Sequence, residues 1–126
     1  MAAVPSGCSL SLSRARRIKQ GRDFARARTQ GKRVTSGCVI ANWLVLPPGS
    51  PTRVGVITSR KLGNAVARSR ARRLLREAFR LNQLRLDQAL DLVLVARASI
   101  VDKTFAQVEN DFLTALRRAS LLKQGT

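Results

Sequence analysis

Histidine and tyrosine are absent from the 126-residue sequence, which has two cysteines, one tryptophan and seven acidic residues. Without histidine the chain lacks the usual general base at neutral pH, the Ser-His and Cys-His nucleophile systems and the commonest nitrogen ligand for zinc. Cys8 and Cys38 are too few for a cysteine-rich metal centre, and one lies in a polar stretch while the other adjoins an apolar run. They read as two free thiols in a reducing compartment. The acids are Asp23, Glu77, Asp87, Asp91, Asp102, Glu109 and Asp111. Glu109 and Asp111, two apart, face different directions on a helix, so no two-metal carboxylate site is visible and a self-contained nuclease is disfavoured. Neither G-x-G-x-x-G nor G-x-x-x-x-G-K-[ST] occurs, which excludes the dinucleotide and P-loop fingerprints.

Long hydrophobic runs are also missing. The longest mostly apolar stretch, Cys38 to Pro48, contains Asn42 and is far short of the roughly 20 residues that span a bilayer. No membrane helix is predicted. The stretch from Met1 to Ser13 has no charge before its apolar residues and is broken by Pro5, Gly7 and four serines, unlike a secretory signal. Its Arg-rich, Ser-rich, acid-poor continuation also has the composition of an organellar transit peptide.

What is abundant is positive charge. Lys and Arg number 24, for a net charge of +17, and 19 of the cations are Arg, which stays ionised and pairs bidentately with phosphate. Residues 1–33 and residues 60–85 each hold nine cations and one anion. Between them only Arg53 is charged, while residues 86–126 balance five cations with five anions. A basic run is ordinarily a solvated helix face matched by acids at i+4, and these blocks lack the acids. Their mutual repulsion would be relieved by a polyanion, with nucleic acid favoured over an anionic membrane surface. The chain is long enough for one domain with its own core.

The apolar pattern gives the elements. Gly21 to Thr29, with Asp23 near its start and Gly31 after it, reads as a short helix carrying Phe24, Ala25 and Ala27. Val34 to Leu46 is β-branched or aromatic at many positions and reads as a strand or two, ended by Pro47-Pro48-Gly49-Ser50-Pro51. Arg53 to Thr58 reads as a strand returning antiparallel on the first, a hairpin with a long loop. Asn64 to Leu84 is the strongest helix: Ala67, Ala71, Leu74, Leu75 and Ala78 form a core stripe. Opposite lie Ser69, Arg72, Arg73, Arg76 and Arg80, with Arg68 and Arg70 at the margins. Leu92 to Arg97 is a strand buried on both faces, and Thr104 to Leu122 is an amphipathic closing helix. Arg53–Thr58, the basic helix and Leu92–Arg97 make a βαβ unit whose loop delivers cations and free amides to a helix N-terminus, a phosphate site by geometry. Trp43, Phe79, Phe105 and Phe112 read as core; Phe24 either caps the sheet or faces a groove. The order gives an α/β or α+β sandwich, and an α+β (α/β sandwich) fold is expected.

The run Arg53-Val54-Gly55-Val56-Ile57-Thr58-Ser59-Arg60-Lys61-Leu62-Gly63-Asn64-Ala65-Val66, continued by Ala67-Arg68-Ser69-Arg70-Ala71-Arg72-Arg73-Leu74-Leu75-Arg76-Glu77-Ala78-Phe79-Arg80, closely resembles the signature of the bacterial ribonuclease P protein subunit family. The resemblance extends back through Arg17-Ile18-Lys19 and Asp23-Phe24 to Gly31, and forward through Val93 to Arg97 and the last helix, so it covers about residues 17–122. It implies a small central sheet with three helices in the order αβββαβα, a left-handed βαβ crossover, and a ribosomal-protein-S5-domain-2-like topology. Residues 17–126 would be a single RNA-binding domain, and residues 1–16 a basic, disordered tail.

The family's activity is removal of the 5′ leader from precursor tRNA by a ribonucleoprotein endonuclease whose RNA subunit is catalytic and holds the magnesium. The resemblance therefore implies no catalytic residue, no metal and no cofactor in the protein itself, and two RNA partners: the catalytic RNA and the precursor tRNA leader. DNA and membrane are not expected partners, the free protein is expected to be monomeric, and the location cytoplasmic. Binding of the RNA subunit would fall to Ser59, Arg60, Lys61, Asn64, Arg68, Ser69, Arg70, Arg72, Arg73 and Arg76. Ser69 replaces the Asn of the family's Arg-Asn-Arg element, losing an amide's reach. The leader cleft would use Arg22, Phe24, Arg28, Lys32 and Arg33, with Arg28 where the family has a second aromatic, so charge would weigh more than stacking. The competing readings are a structural RNA-binding protein, such as a ribosomal protein, and a basic-helix DNA binder.

Overall fold

The computed structural model describes residues 17, 18 and 21–123; the expected tail, residues 1–16, lies outside them. Seven elements follow in the expected order: α1 (Gly21–Gln30), β1 (Lys32–Ser36), β2 (Val39–Val45), β3 (Arg53–Ile57), α2 (Ala65–Asn82), β4 (Leu90–Ala96) and α3 (Phe105–Arg118). The four strands form one mixed sheet in the order β1-β2-β4-β3. Among the described residues no helix is long and apolar enough to cross a membrane.

The β-branched run 34–46 divides at a tight turn. Ser36 pairs with Val39, and Gly37 between them takes φ +55°, a conformation that costs glycine no Cβ clash. A Cβ there would also come within 2.7 Å of an Asp111 carboxylate oxygen, whose neighbour accepts a hydrogen bond from the Cys38 amide at 3.1 Å. The hairpin is therefore β1–β2, fastened from below by α3.

The hairpin expected from the Arg53–Thr58 run is not formed. β3 pairs parallel with β4, and β4 pairs antiparallel with β2, so β4 occupies the slot between them. The reason lies in the apolar pattern. All but one of the seven β4 residues are buried, and a strand apolar on both faces is stabilised most with neighbours on both edges and cover on both sides. Both ends of the proline-rich loop reach β4's entrance: Leu46 N–H donates to Ala89 O (2.9 Å) and Leu90 N–H to Thr52 Oγ1 (3.3 Å). The βαβ unit, β3–α2–β4, is as expected.

One sheet face carries the main core. Val39, Ala41, Trp43, Leu92 and Leu94 pack against Ala71, Leu75, Ala78 and Phe79 of α2 and Val108, Phe112, Ala115 and Leu116 of α3. Phe79, Phe112 and Trp43 are buried as predicted, and Phe105 is partly so. α3 starts at a capping box in which Thr104 and Gln107 exchange side-chain to backbone hydrogen bonds. The other face holds a smaller cluster of Ile18, Ala27 and Val93, flanked by Phe24, Leu44, Ile57 and Val95. α1 covers only part of it.

A chain of ion pairs fixes α1 there. Asp91, fully buried in β4, accepts from its β3 partner Arg53 through Nε (2.8 Å) and Nη2 (2.7 Å). Arg53 Nη1 reaches Asp23 of α1 at 3.5 Å, and Asp23 also accepts from Arg26 at 2.7 Å. The bond to Asp91 holds the Arg53 guanidinium above its usual pKa, against the opposing effect of burial.

Replacing Arg53 by Leu leaves the Asp91 carboxylate buried without a counterion. The expected cost is about 3 kcal/mol in urea unfolding, largely recovered by adding Asp91→Asn. A loss below about 1 kcal/mol contradicts the role given to the pair. Burial, and then the bond to Asp111 and its charge, push the Cys38 thiol from 9.0 up to about 12. The folded value lies above the unfolded one, so the stability this contributes is complete below about pH 9 and is lost as the pH rises towards about 12. In a Cys8→Ser background at pH 8, iodoacetamide should alkylate Cys38 orders of magnitude more slowly in the folded protein than in urea. Equal rates contradict the burial.

Candidate nucleic-acid interface

The crossover from β3 ends in Ser59 and a short 3-10 turn, Arg60–Leu62, that buries Leu62 and leaves Ser59, Arg60 and Lys61 exposed. Gly63, at φ 129°, turns the chain into α2. Asn64 is the N-cap: its side-chain oxygen accepts from Ala67 N–H at 3.0 Å, and its carbonyl from Arg68 N–H at 3.1 Å. One amide of the predicted phosphate site is therefore already taken by Asn64. The amides of Ala65 and Val66 make no hydrogen bond among the described residues.

Along α2 the predicted two faces hold. Ala71, Leu75 and Ala78 are buried, whereas Ser69, Arg72, Arg73, Arg76 and Arg80, joined by Arg17 and Glu77, line an open depression of about 560 Å³. Ser69 is an acceptor here: Arg72 donates to its Oγ at 3.1 Å and to Thr58 Oγ1 at 2.8 Å. Glu77, the single acid in the depression, is bonded to Arg80 Nε at 2.6 Å. Burial, and then the charges of Arg17 and Arg72, hold Arg76 below its usual pKa. Arg70 is directed elsewhere: it donates to the carbonyls of Lys103 (2.7 Å) and Val101 (3.4 Å), tying α2 to the segment before α3. Arg68 lies at the opposite margin and is half-buried.

A second cleft, of about 380 Å³, opens where residues 17–18 and α1 meet β3, and Arg17, Ile18, Phe24, Val54, Gly55, Val56 and Arg76 line it. Arg17 bridges to Val54 in parallel fashion, and Ile18 N–H donates to Val54 O at 2.8 Å. The Phe24 ring lies against Gly55. A Cβ on Gly55 would fall within 2.6 Å of the ring's Cζ, so glycine in this strand is what admits the aromatic. Phe24 thus does both things left open by the sequence: it is half-buried against the sheet and lines a groove.

Of the five residues expected in the leader cleft, Phe24 alone lines it. Arg22, Arg28, Lys32 and Arg33 are exposed around α1 and β1. Lys32 borders a separate recess of about 210 Å³ with Trp43 and Val45, and Arg33 is the strand partner of Asn42. Sequence reasoning missed Arg17, Val54, Gly55 and Val56 as cleft residues. A glycine inside a β-branched run is the signal that marks a close approach, whereas Arg17 is hidden among its basic neighbours. Among the described residues no group of three or more His, Cys, Asp or Glu side chains is placed to hold a metal. Most acids have other partners: Asp23 and Asp91 pair with Arg53, Glu77 with Arg80, Glu109 with Asn82 and Asp111 with the Cys38 amide.

The family described as ribonuclease P matches residues 12–120. The ribonuclease P protein component of Symbiobacterium thermophilum is 36% identical over 113 residues, covering 90% of this chain and 98% of that protein. That of Chloroflexus aurantiacus is 38% identical over 120 residues, covering 91% and 85%. The solved ribonuclease P protein of Staphylococcus aureus superposes with a TM-score of 0.78 at 29% identity, over 87% of this chain and all of that one. The Thermotoga maritima protein gives 0.71 at 26%, over 81% and 96%. Sequence and fold converge: the chain belongs to the ribonuclease P protein family.

Proposed function

We propose that the chain acts as the protein subunit of ribonuclease P, binding the catalytic RNA through the arginine face of α2 and the precursor tRNA leader through the cleft beside Phe24. The observation that carries this reading is the adjacency of the two surfaces. The depression on α2 and the Phe24 cleft share Arg17 and Arg76, and a single paired acid, Glu77, lies on either. Guanidinium groups held in a row neutralise phosphates, and each displaced counterion adds affinity. The Phe24 ring, its edge seated on Gly55, offers a stacking platform.

The division of labour follows from the side chains. The RNA subunit holds the magnesium that supplies the hydrolytic chemistry. This chain's part is to bring fixed cations to the leader phosphates, which tightens substrate binding and lowers the demand for free magnesium. Ser59, Arg60, Lys61, Arg68, Ser69, Arg72, Arg73 and Arg76 form the surface for the catalytic RNA, Arg76 also lining the leader cleft; Asn64 and Arg70 contribute whatever donors remain after capping α2 and bracing the Lys103 carbonyl. Arg22, Arg28, Lys32 and Arg33 flank the cleft as a field that draws the leader in rather than as its walls. The free protein is monomeric and works in the cytoplasm.

Cleavage of a 5′-leader precursor tRNA by a bacterial ribonuclease P RNA at low magnesium tests this reading. Adding the protein should restore cleavage, and the protein alone should cleave nothing. Binding to the RNA with cleavage unchanged, even with the RNA from the same source, contradicts it. Phe24→Ala should weaken binding of leader-bearing substrate about tenfold, the range of one lost base stack, and leave mature tRNA binding as it was. Unchanged leader affinity in a folded variant removes Phe24 from the interface.

A further inference from the structure

The threshold between the two depressions is built from few residues. Arg17 and Arg76 line both, and Arg72 stands beside them in the larger one. The main chain at Arg17 is anchored, since residues 17 and 18 bridge to Val54 of β3, so the root of its side chain is fixed. The Arg17 Nε is buried and makes no hydrogen bond. The Arg76 side chain likewise has no hydrogen bond or ion pair among the described residues, and Arg72 is bonded only to hydroxyls of Thr58 and Ser69. Glu77, the nearest acid of the depression, is engaged by Arg80. Three guanidinium groups therefore converge without a carboxylate, one with a buried donor that water does not reach. An unpaired buried donor and unrelieved like charge both carry a cost. An oxyanion with several acceptor oxygens relieves the repulsion by bonding the exposed arms of these guanidinium groups, and it meets the Arg17 Nε once that side chain turns outward.

We propose that Arg17 and Arg76, with Arg72 beside them, form a seat for one RNA phosphodiester at the threshold between the Phe24 cleft and the arginine face. This rests on the functional reading above and adds to it a single contact point. A strand lying against Phe24 is pinned where it leaves the cleft, at a fixed distance from the RNA held by α2. Two strands could supply the phosphate, the leader or the catalytic RNA, and the chemistry recognised is the same.

The test uses the reconstituted holoenzyme and precursor tRNAs in which leader linkages are replaced one at a time by neutral methylphosphonates. Wild type, Arg17→Gln and Arg76→Gln are compared, the glutamines keeping polarity while removing charge, and circular dichroism checks that each variant folds. If the leader fills the seat, one linkage should weaken wild-type binding about tenfold when neutralised and have little effect in either variant. If the catalytic RNA fills it, no leader linkage behaves so, and the salt dependence of RNA-subunit binding without substrate should fall by about one counterion in each variant. The seat is overturned if both variants keep the wild-type linkage sensitivity and the wild-type salt slope, or if every leader linkage matters equally. A wild-type holoenzyme indifferent to the leader contradicts the functional reading instead, and the salt comparison, which needs only RNA binding, still decides the seat.

Discussion

The buried carboxylate of Asp91 organises this molecule. It is fully buried in the central strand, where an unpaired charge would be untenable, and the Arg53 fork satisfies both its oxygens. That pair sets β3 beside β4 with Arg53 opposite Asp91, and the remaining arm of the guanidinium extends to Asp23 on α1. With α1 held at that point, Phe24 comes down on Gly55 and a cleft remains at the β3 edge, with residues 17–18 as one wall. A hydrophobic substitute for the pair would serve packing as well or better, but would not reach across to α1. The interaction shapes the cleft as much as it stabilises the sheet.

The same economy governs the charge. Five of the seven acids, all among the described residues, are engaged by Arg53, Arg80, Asn82 or the turn at Cys38. Asp87 and Asp102 apart, the exposed charge is mostly cationic, concentrated along one side of α2 and continuing past Arg17 into the cleft. Self-repulsion of that surface is a standing cost of the free protein, and a polyanion repays it. A chain arranged in this way presents a surface whose charge is matched by a polyanion such as RNA.

How much of this could be read from residues alone depended on whether the signal was local. The α2 stripe of Ala71, Leu75 and Ala78 and the arginines opposite it follow from a 3.6-residue period, and they appear in the structure as two faces of one helix. The β-branched run and its proline-rich stop were equally local. Strand pairing was not: a long loop before Arg53 suggested a hairpin, and only the burial demand of β4, distant in sequence, places that strand between β2 and β3. Arg53 and Asp91 are separated by 38 residues, and each alone resembles an ordinary strand-end polar residue. The cleft was half legible. Phe24 was a candidate because of its setting, but its neighbours Arg17 and Val54 are brought to it by a parallel bridge that no sequence period announces.

If the protein's contribution is to grip the leader, the preference for leader-bearing over mature tRNA must depend on the protein. The direct measurement is the affinity of both tRNAs for the RNA subunit alone and for the holoenzyme, at one salt concentration and with calcium in place of magnesium to prevent cleavage. The holoenzyme should favour the leader-bearing substrate well beyond any preference of the RNA alone. An identical preference with and without the protein would contradict the leader cleft and leave the chain as a scaffold for the RNA.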